Sequence, residues 1–126
     1  MSAIGFPAGL PGFEACRRFV LLEPDAGGPV RCLQSIDGPS ASFLVMDPRA
    51  IEPAYDVPLT AADRQRLGEA GTGALVWLAF VATESDGAIT ANLRAPVVIN
   101  PATMTGVQVI PHDSPYPLRH VLVPGA

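Results

Sequence analysis

Residues 74–100 read ALVWLAFVATESDGAITANLRAPVVIN, two apolar, β-branched stretches on either side of Asp86-Gly87. Asp-Gly between such runs signals a two-residue hairpin turn, because glycine accepts the positive φ the turn imposes. A turn there sets Ser85 opposite Ala88 and steps each later pair one residue outward on both strands. Ala82, Phe80, Leu78 and Val76 then fall opposite Ala91, Leu93, Ala95 and Val97, an unbroken apolar face that belongs in a core. The other face pairs Thr83 with Thr90, Val81 with Asn92, Ala79 with Arg94 and Trp77 with Pro96, mixing polar and apolar groups. That face is either a solvated sheet surface or a contact patch in which the Arg94 guanidinium lies over the Trp77 indole.

Outward from the hairpin, fourteen prolines and twelve glycines are spread along the whole chain and cut it into short segments, a pattern of many strands joined by turns. Enrichment in β-branched and aromatic residues predicts strands at 17–22, 30–36, 42–46, 74–85, 88–100, 106–110 and 118–123. Leu10-Pro11-Gly12-Phe13 has the proline and glycine positions of a type II turn. One short helix is predicted over 61–69, capped by Thr60, with Asp63 in its first turn and Gly71 past its end. Only Ala61, Ala62 and Leu67 offer it an apolar face. The fold class is therefore mostly β, with one surface helix.

The chain of 126 residues has room for a single domain, 1–126, and its 48% hydrophobic content against 16% charged residues favours a packed core over disorder. Its net charge is −4, with eight arginines and no lysine. Dispersed arginines among twelve carboxylates do not form the cationic stripe that nucleic acid or an anionic membrane surface requires, whereas an acidic surface suits a basic protein partner. Cys16 and Cys32 have no metal-ligand spacing and read as small reduced hydrophobes. The longest apolar run, 74–82, is about half the length of a membrane span. Residues 1–12 lack the charged start and apolar run of a signal peptide, so the expected compartment is the cytoplasm.

No enzyme chemistry is expected. His112-Asp113-Ser114 are triad residue types, but triad members converge from separate elements and three neighbours cannot reproduce that geometry. No clustered His, Cys or carboxylate set offers a zinc site. Asp47 with Glu52, and Glu84 with Asp86, fall at strand ends and turns, where charge is ordinarily solvated. Gly9 to Gly12 lacks the lysine of a phosphate loop, Gly71-Thr72-Gly73 leads into a strand instead of a helix, and no cofactor is expected.

The blocks Gly9-Leu10-Pro11-Gly12-Phe13-Glu14, Leu33-Gln34-Ser35, Asp47-Pro48, Thr90 through Asn100, Gln108-Val109-Ile110 and Ser114 through Arg119 resemble, in order and over nearly the whole chain, the flagellar assembly factor family FliW. The resemblance implies a small antiparallel β-barrel-like fold and a cytoplasmic, non-enzymatic regulator with two competing partners: flagellin before export, and CsrA, a dimeric RNA-binding repressor of flagellin translation. Free protein relieves repression by binding CsrA, accumulated flagellin withdraws it, and export resets the switch.

Members of that family usually carry a further N-terminal strand, and here its place is taken by residues 1–5 alone, so either the start is misassigned or the barrel lacks that strand. A missing strand would leave an open sheet edge. Asn92, Arg94, Asn100, Gln108, Tyr116 and Arg119, together with Trp77 and Pro96 of the hairpin face, are the candidate protein-binding residues. For these, side-chain hydrogen bonds to turns are the competing explanation. Two other classes stay open: a barrel holding a flavin-like ligand at its mouth, and a structural subunit of an oligomer.

Overall fold

The computed structural model describes residues 3–24, 27–68 and 75–126. Its strands are β1 (Ile4–Gly5), β2 (Arg18–Leu22), β3 (Arg31–Ser35), β4 (Ser42–Met46), β5 (Val76–Thr83), β6 (Ile89–Asn100), β7 (Thr105–Gln108) and β8 (His120–Val123). A 3-10 turn covers Pro48–Ala50, and the helix α1 covers Ala61–Leu67. Seven strands close on themselves in the order β1-β2-β3-β4-β5-β6-β7, with β8 added to the free side of β6. Closure removes most of the sheet edges that would otherwise invite pairing with another chain, and β8 keeps one free.

Each predicted strand is present with slightly shifted ends, and one strand was not predicted. Ile4–Gly5 pairs antiparallel with β2 and parallel with β7. Two residues thus suffice to join β2 to β7, and the open edge expected from the short leader does not occur there.

The hairpin forms between β5 and β6, but it turns through three residues and not two. The Gly87 N–H donates to the Glu84 carbonyl (3.0 Å), the Glu84 N–H donates to the Ala88 carbonyl (2.7 Å), and Gly87 sits at φ +87°. This is a type I turn followed by a left-handed glycine. Asp86 Oδ1 holds the loop by accepting the Ala88 N–H at 2.9 Å. The extra loop residue moves the register by one: Thr83 faces Ile89, Ala82 faces Thr90, Val81 faces Ala91 and Phe80 faces Asn92.

A second correction lies further along, where Leu78 pairs with Val97, Trp77 with Val98 and Val76 with Ile99. Between Asn92 and Val97 four residues of β6 oppose Ala79 alone, so the strand bulges. Proline explains why the bulge is here: Pro96 has no N–H to give to a ladder, and central strands tolerate proline only where pairing is interrupted.

The displacement sends Leu93 to the opposite face from the one expected. Val76, Leu78, Phe80, Val97 and Ile99 face the barrel interior, whereas Leu93 joins Trp77, Ala79 and Val98 outside it. That outer face is covered by Tyr55, Val57, Leu67, Val107, Val109 and Tyr116, so half of the anticipated contact surface is a second core.

The interior is filled by side chains, as expected of a barrel this small. Phe6, Phe19, Leu33, Leu78 and Val97 are fully buried. A file of aromatic rings runs through it, from Phe6–Phe19 (5.2 Å between centroids) to Phe43, which meets Phe80 at 5.3 Å and Phe13 at 5.1 Å. Phe13 reaches this position because Leu10–Phe13 forms the predicted turn, with Gly12 at φ +83° and the Phe13 N–H on the Leu10 carbonyl (2.7 Å).

α1 starts with the Thr60 cap: Thr60 Oγ1 accepts the Asp63 N–H, and Asp63 Oδ2 accepts the Thr60 N–H, both at 3.1 Å. It ends at Gly68, earlier than the expected Gly71, which lies outside the described residues. Asp63 and Leu67 are its buried residues, while Ala61 and Ala62 face out. The helix packs on β7.

Candidate functional site

The bulge at 93–96 is a stretch of backbone withdrawn from the ladder, and its polar groups need other partners. Asn92 Oδ1 accepts the N–H groups of Arg94 (3.0 Å) and Ala95 (3.1 Å). Gln108 Nε2 donates to the Ala95 carbonyl (3.1 Å), and the Val109 N–H donates to the Pro96 carbonyl (2.8 Å). Leu93 donates to the Pro117 carbonyl (3.1 Å) and accepts the Tyr55 hydroxyl (2.7 Å). Five of the eight candidate residues, Asn92, Arg94, Pro96, Gln108 and Tyr116, therefore gather at or against one feature.

Tyr55 and Tyr116 stack over the bulge with ring centroids 4.6 Å apart. The Tyr116 hydroxyl accepts the Asp56 N–H (3.0 Å), while the Tyr116 carbonyl accepts Arg94 Nε (2.9 Å). Burial, reinforced by Tyr116, pushes the Tyr55 phenol well above its ordinary 10.0, against a smaller opposing pull from Arg49. Tyr55 was missed in the sequence because a lone tyrosine among prolines and carboxylates carries no periodicity.

The expected Trp77–Arg94 stack does not form. Arg49, from the 3-10 turn, lies over the half-buried Trp77 ring at 5.8 Å, and Arg94 instead donates its Nε to the Tyr116 carbonyl. Asn100 is fully buried and far from the bulge; its Nδ2 donates to the Leu67 carbonyl (2.9 Å) and its Oδ1 accepts the Ala102 N–H (3.0 Å), tying the end of α1 to β6. Arg119 extends into solvent with Nε 3.6 Å from Glu84 Oε1. Of the carboxylates expected to be merely solvated, Asp47 caps the 3-10 turn through the Arg49 N–H (2.8 Å) and Glu84 also accepts the Thr90 hydroxyl (3.1 Å).

Around this framework the surface carries exposed Phe13, Leu44, Ile110, Leu118, Val121 and Val123. A groove at the barrel mouth runs over Phe13, Phe43, Phe80 and Val81 to Gln108. Among the described residues no three His, Cys, Asp or Glu side chains cluster as a metal site, and no helix is long and apolar enough to cross a membrane. The class is thus a small closed β-barrel with a packed lumen, a second core on its flank and apolar grooves on its outside.

The FliW protein family model matches residues 1–122. Curated relatives named flagellar assembly factor FliW include that of Symbiobacterium thermophilum, 38% identical over 123 residues (96% of this chain, 89% of the relative). Another is that of Natranaerobius thermophilus, 34% identical over 121 residues (94% of this chain, 80% of the relative). The crystal structure of a flagellar assembly factor FliW superimposes with a TM-score of 0.87 at 31% identity, covering 97% of this chain and 86% of that one. The chain belongs to the FliW family of flagellar assembly factors.

Proposed function

We propose that this chain acts without catalysis, in the cytoplasm and as one domain over residues 1–126, by binding flagellin and by antagonising the translational repressor CsrA in exchange for it. The whole-length match to the FliW family is the observation that carries the reading. The net charge of −4 supports it further, since an acidic surface favours encounter with basic partners.

Within that reading the eight candidates divide by what they touch. Asn92, Pro96, Asn100, Gln108 and Tyr116 shape the surface through contacts with the chain's own backbone, and half-buried Trp77 is steadied by Arg49. Arg94 and Arg119 are exposed and are the ones we assign to partner contact.

Purified chain mixed with flagellin and with CsrA tests the function directly. Each partner is expected to co-elute with it alone, and flagellin is expected to displace CsrA; binding of neither ends the proposal. Arg94→Glu is expected to weaken at least one complex by about 1–3 kcal/mol, and unchanged affinity for both returns Arg94 to a purely structural role.

A further inference from the structure

A charged side chain faces the barrel interior at the end away from the β5–β6 turn. Arg31 pairs with Val45 and stands two residues before Leu33, and both of those partners are fully buried in the interior core. Side chains alternate along a strand, so Arg31 shares their face. Leu21, opposite Leu33, and the pair Val76 and Ile99 point inward at the same end. An arginine thus occupies a position where the interior pattern calls for an apolar residue.

Beside it is a cavity of about 250 Å3, lined by Arg31 and otherwise by apolar residues, among them Ile4, Leu21, Val76, Ile99 and Met104. Leu21, Val76 and Met104 pack on the interior core without being fully buried, so the core is not closed over here. The Arg31 side chain is 24% exposed, and among the described residues its ion-pair partner is Glu23, 3.4 Å from Nη1 and itself 71% exposed. So long a contact to a solvated carboxylate contributes little, whereas holding a cation against apolar walls costs free energy. A closer anion would offset that cost.

We propose that this end of the barrel is a binding site for a small aliphatic carboxylate, with its hydrocarbon chain among Leu21, Val76, Ile99 and Met104 and its carboxylate on the Arg31 guanidinium in place of Glu23. An apolar hollow with one oriented polar group is the general form of a small-ligand site. The planar fork of guanidinium donors matches the two oxygens of a carboxylate, and the flexible Met104 thioether can follow the chain. Charge selects the ligand: Arg31 repels an aliphatic amine, and an alcohol fills the hollow without answering the cation. The site lies apart from the bulge and does not depend on the protein-binding role proposed above.

The test titrates the unmodified chain at neutral pH with hexanoate, hexanol and acetate, reading affinity by calorimetry and site by the Met104 methyl resonance. Hexanoate is expected to bind saturably and to shift that resonance. Hexanol, which lacks the charge, and acetate, which lacks the chain, are each expected to bind at least about tenfold more weakly. Arg31→Gln is expected to bring hexanoate down to the affinity of hexanol. No binding of hexanoate, binding that leaves Met104 unmoved, or equal affinity for hexanoate and either comparison overturns the site, and these readings on the unmodified chain decide it even where Arg31→Gln does not fold. A folded Arg31→Gln variant with unchanged hexanoate affinity overturns it as well.

Discussion

The two halves of the β5–β6 hairpin are built on opposite terms. In the half nearest the turn, Ala82 and Thr83 of β5 are exposed while Thr90 and Ala91 of β6 are buried, and the flanking strand is β8, whose outer edge is free. In the far half, Leu78, Ala79, Val97, Val98 and Ile99 are buried on both faces, between the barrel interior and the outer core, and the flanking strand is β7. The bulge at 93–96 is the boundary. β5 thereby serves as a wall between two cores at one end and as a surface at the other, so burial and exposure are separated along its length.

Truncations in the two halves should differ most of all. Leu78→Ala removes a fully buried side chain and is expected to cost about 2–5 kcal/mol in urea denaturation. Thr83→Ala should stay within about 0.5 kcal/mol. Equal losses would erase the distinction between the halves.

The boundary itself can be probed next, through Tyr55. Tyr55→Phe leaves the Leu93 carbonyl without its buried donor and is expected to cost about 1–3 kcal/mol at neutral pH. The same substitution should change the alkaline limb. The folded protein holds the Tyr55 proton more tightly than the unfolded chain does, so this contribution is intact below the ordinary value of 10.0 and is lost as pH rises beyond it. The variant should therefore lose less stability between neutral pH and pH above 10 than the parent, and parallel profiles would remove Tyr55 as the cause.

What the sequence disclosed follows the same boundary. The strands were legible because alternation and turn residues are local, and the Thr60 cap and the Leu10–Phe13 turn were legible for that reason too. The register was not, because Ser85-Asp86-Gly87 supports a three-residue loop as well as Asp86-Gly87 supports a two-residue one, and a single added residue shifts every pair. Pro96 was the overlooked signal: a proline in the middle of a predicted twelve-residue central strand argues for a bulge, and the bulge moved Leu93 to the outer core. Tyr55 could not be placed beforehand, since its partner Leu93 is 38 residues away and the contact depends on that bulge. Of the candidate residues, the local pattern placed Asn92, Arg94 and Pro96 on one stretch of strand while missing that Asn92 serves the backbone and that Arg49, not Arg94, meets Trp77.

The smallest effect belongs to the near half. Arg119 and Glu84 form an ion pair at 3.6 Å, with the arginine side chain 79% exposed, and solvent screening leaves such a pair little net stabilisation. Arg119→Ala is expected to move the denaturation midpoint by the equivalent of at most about 0.5 kcal/mol at low salt, and by less as salt is added. A larger, salt-sensitive loss would make the near half a structural element after all. A negligible one leaves Arg119 free to exchange Glu84 for a partner's carboxylate at almost no cost to the fold, the property that a reversible contact needs and that the buried far half lacks.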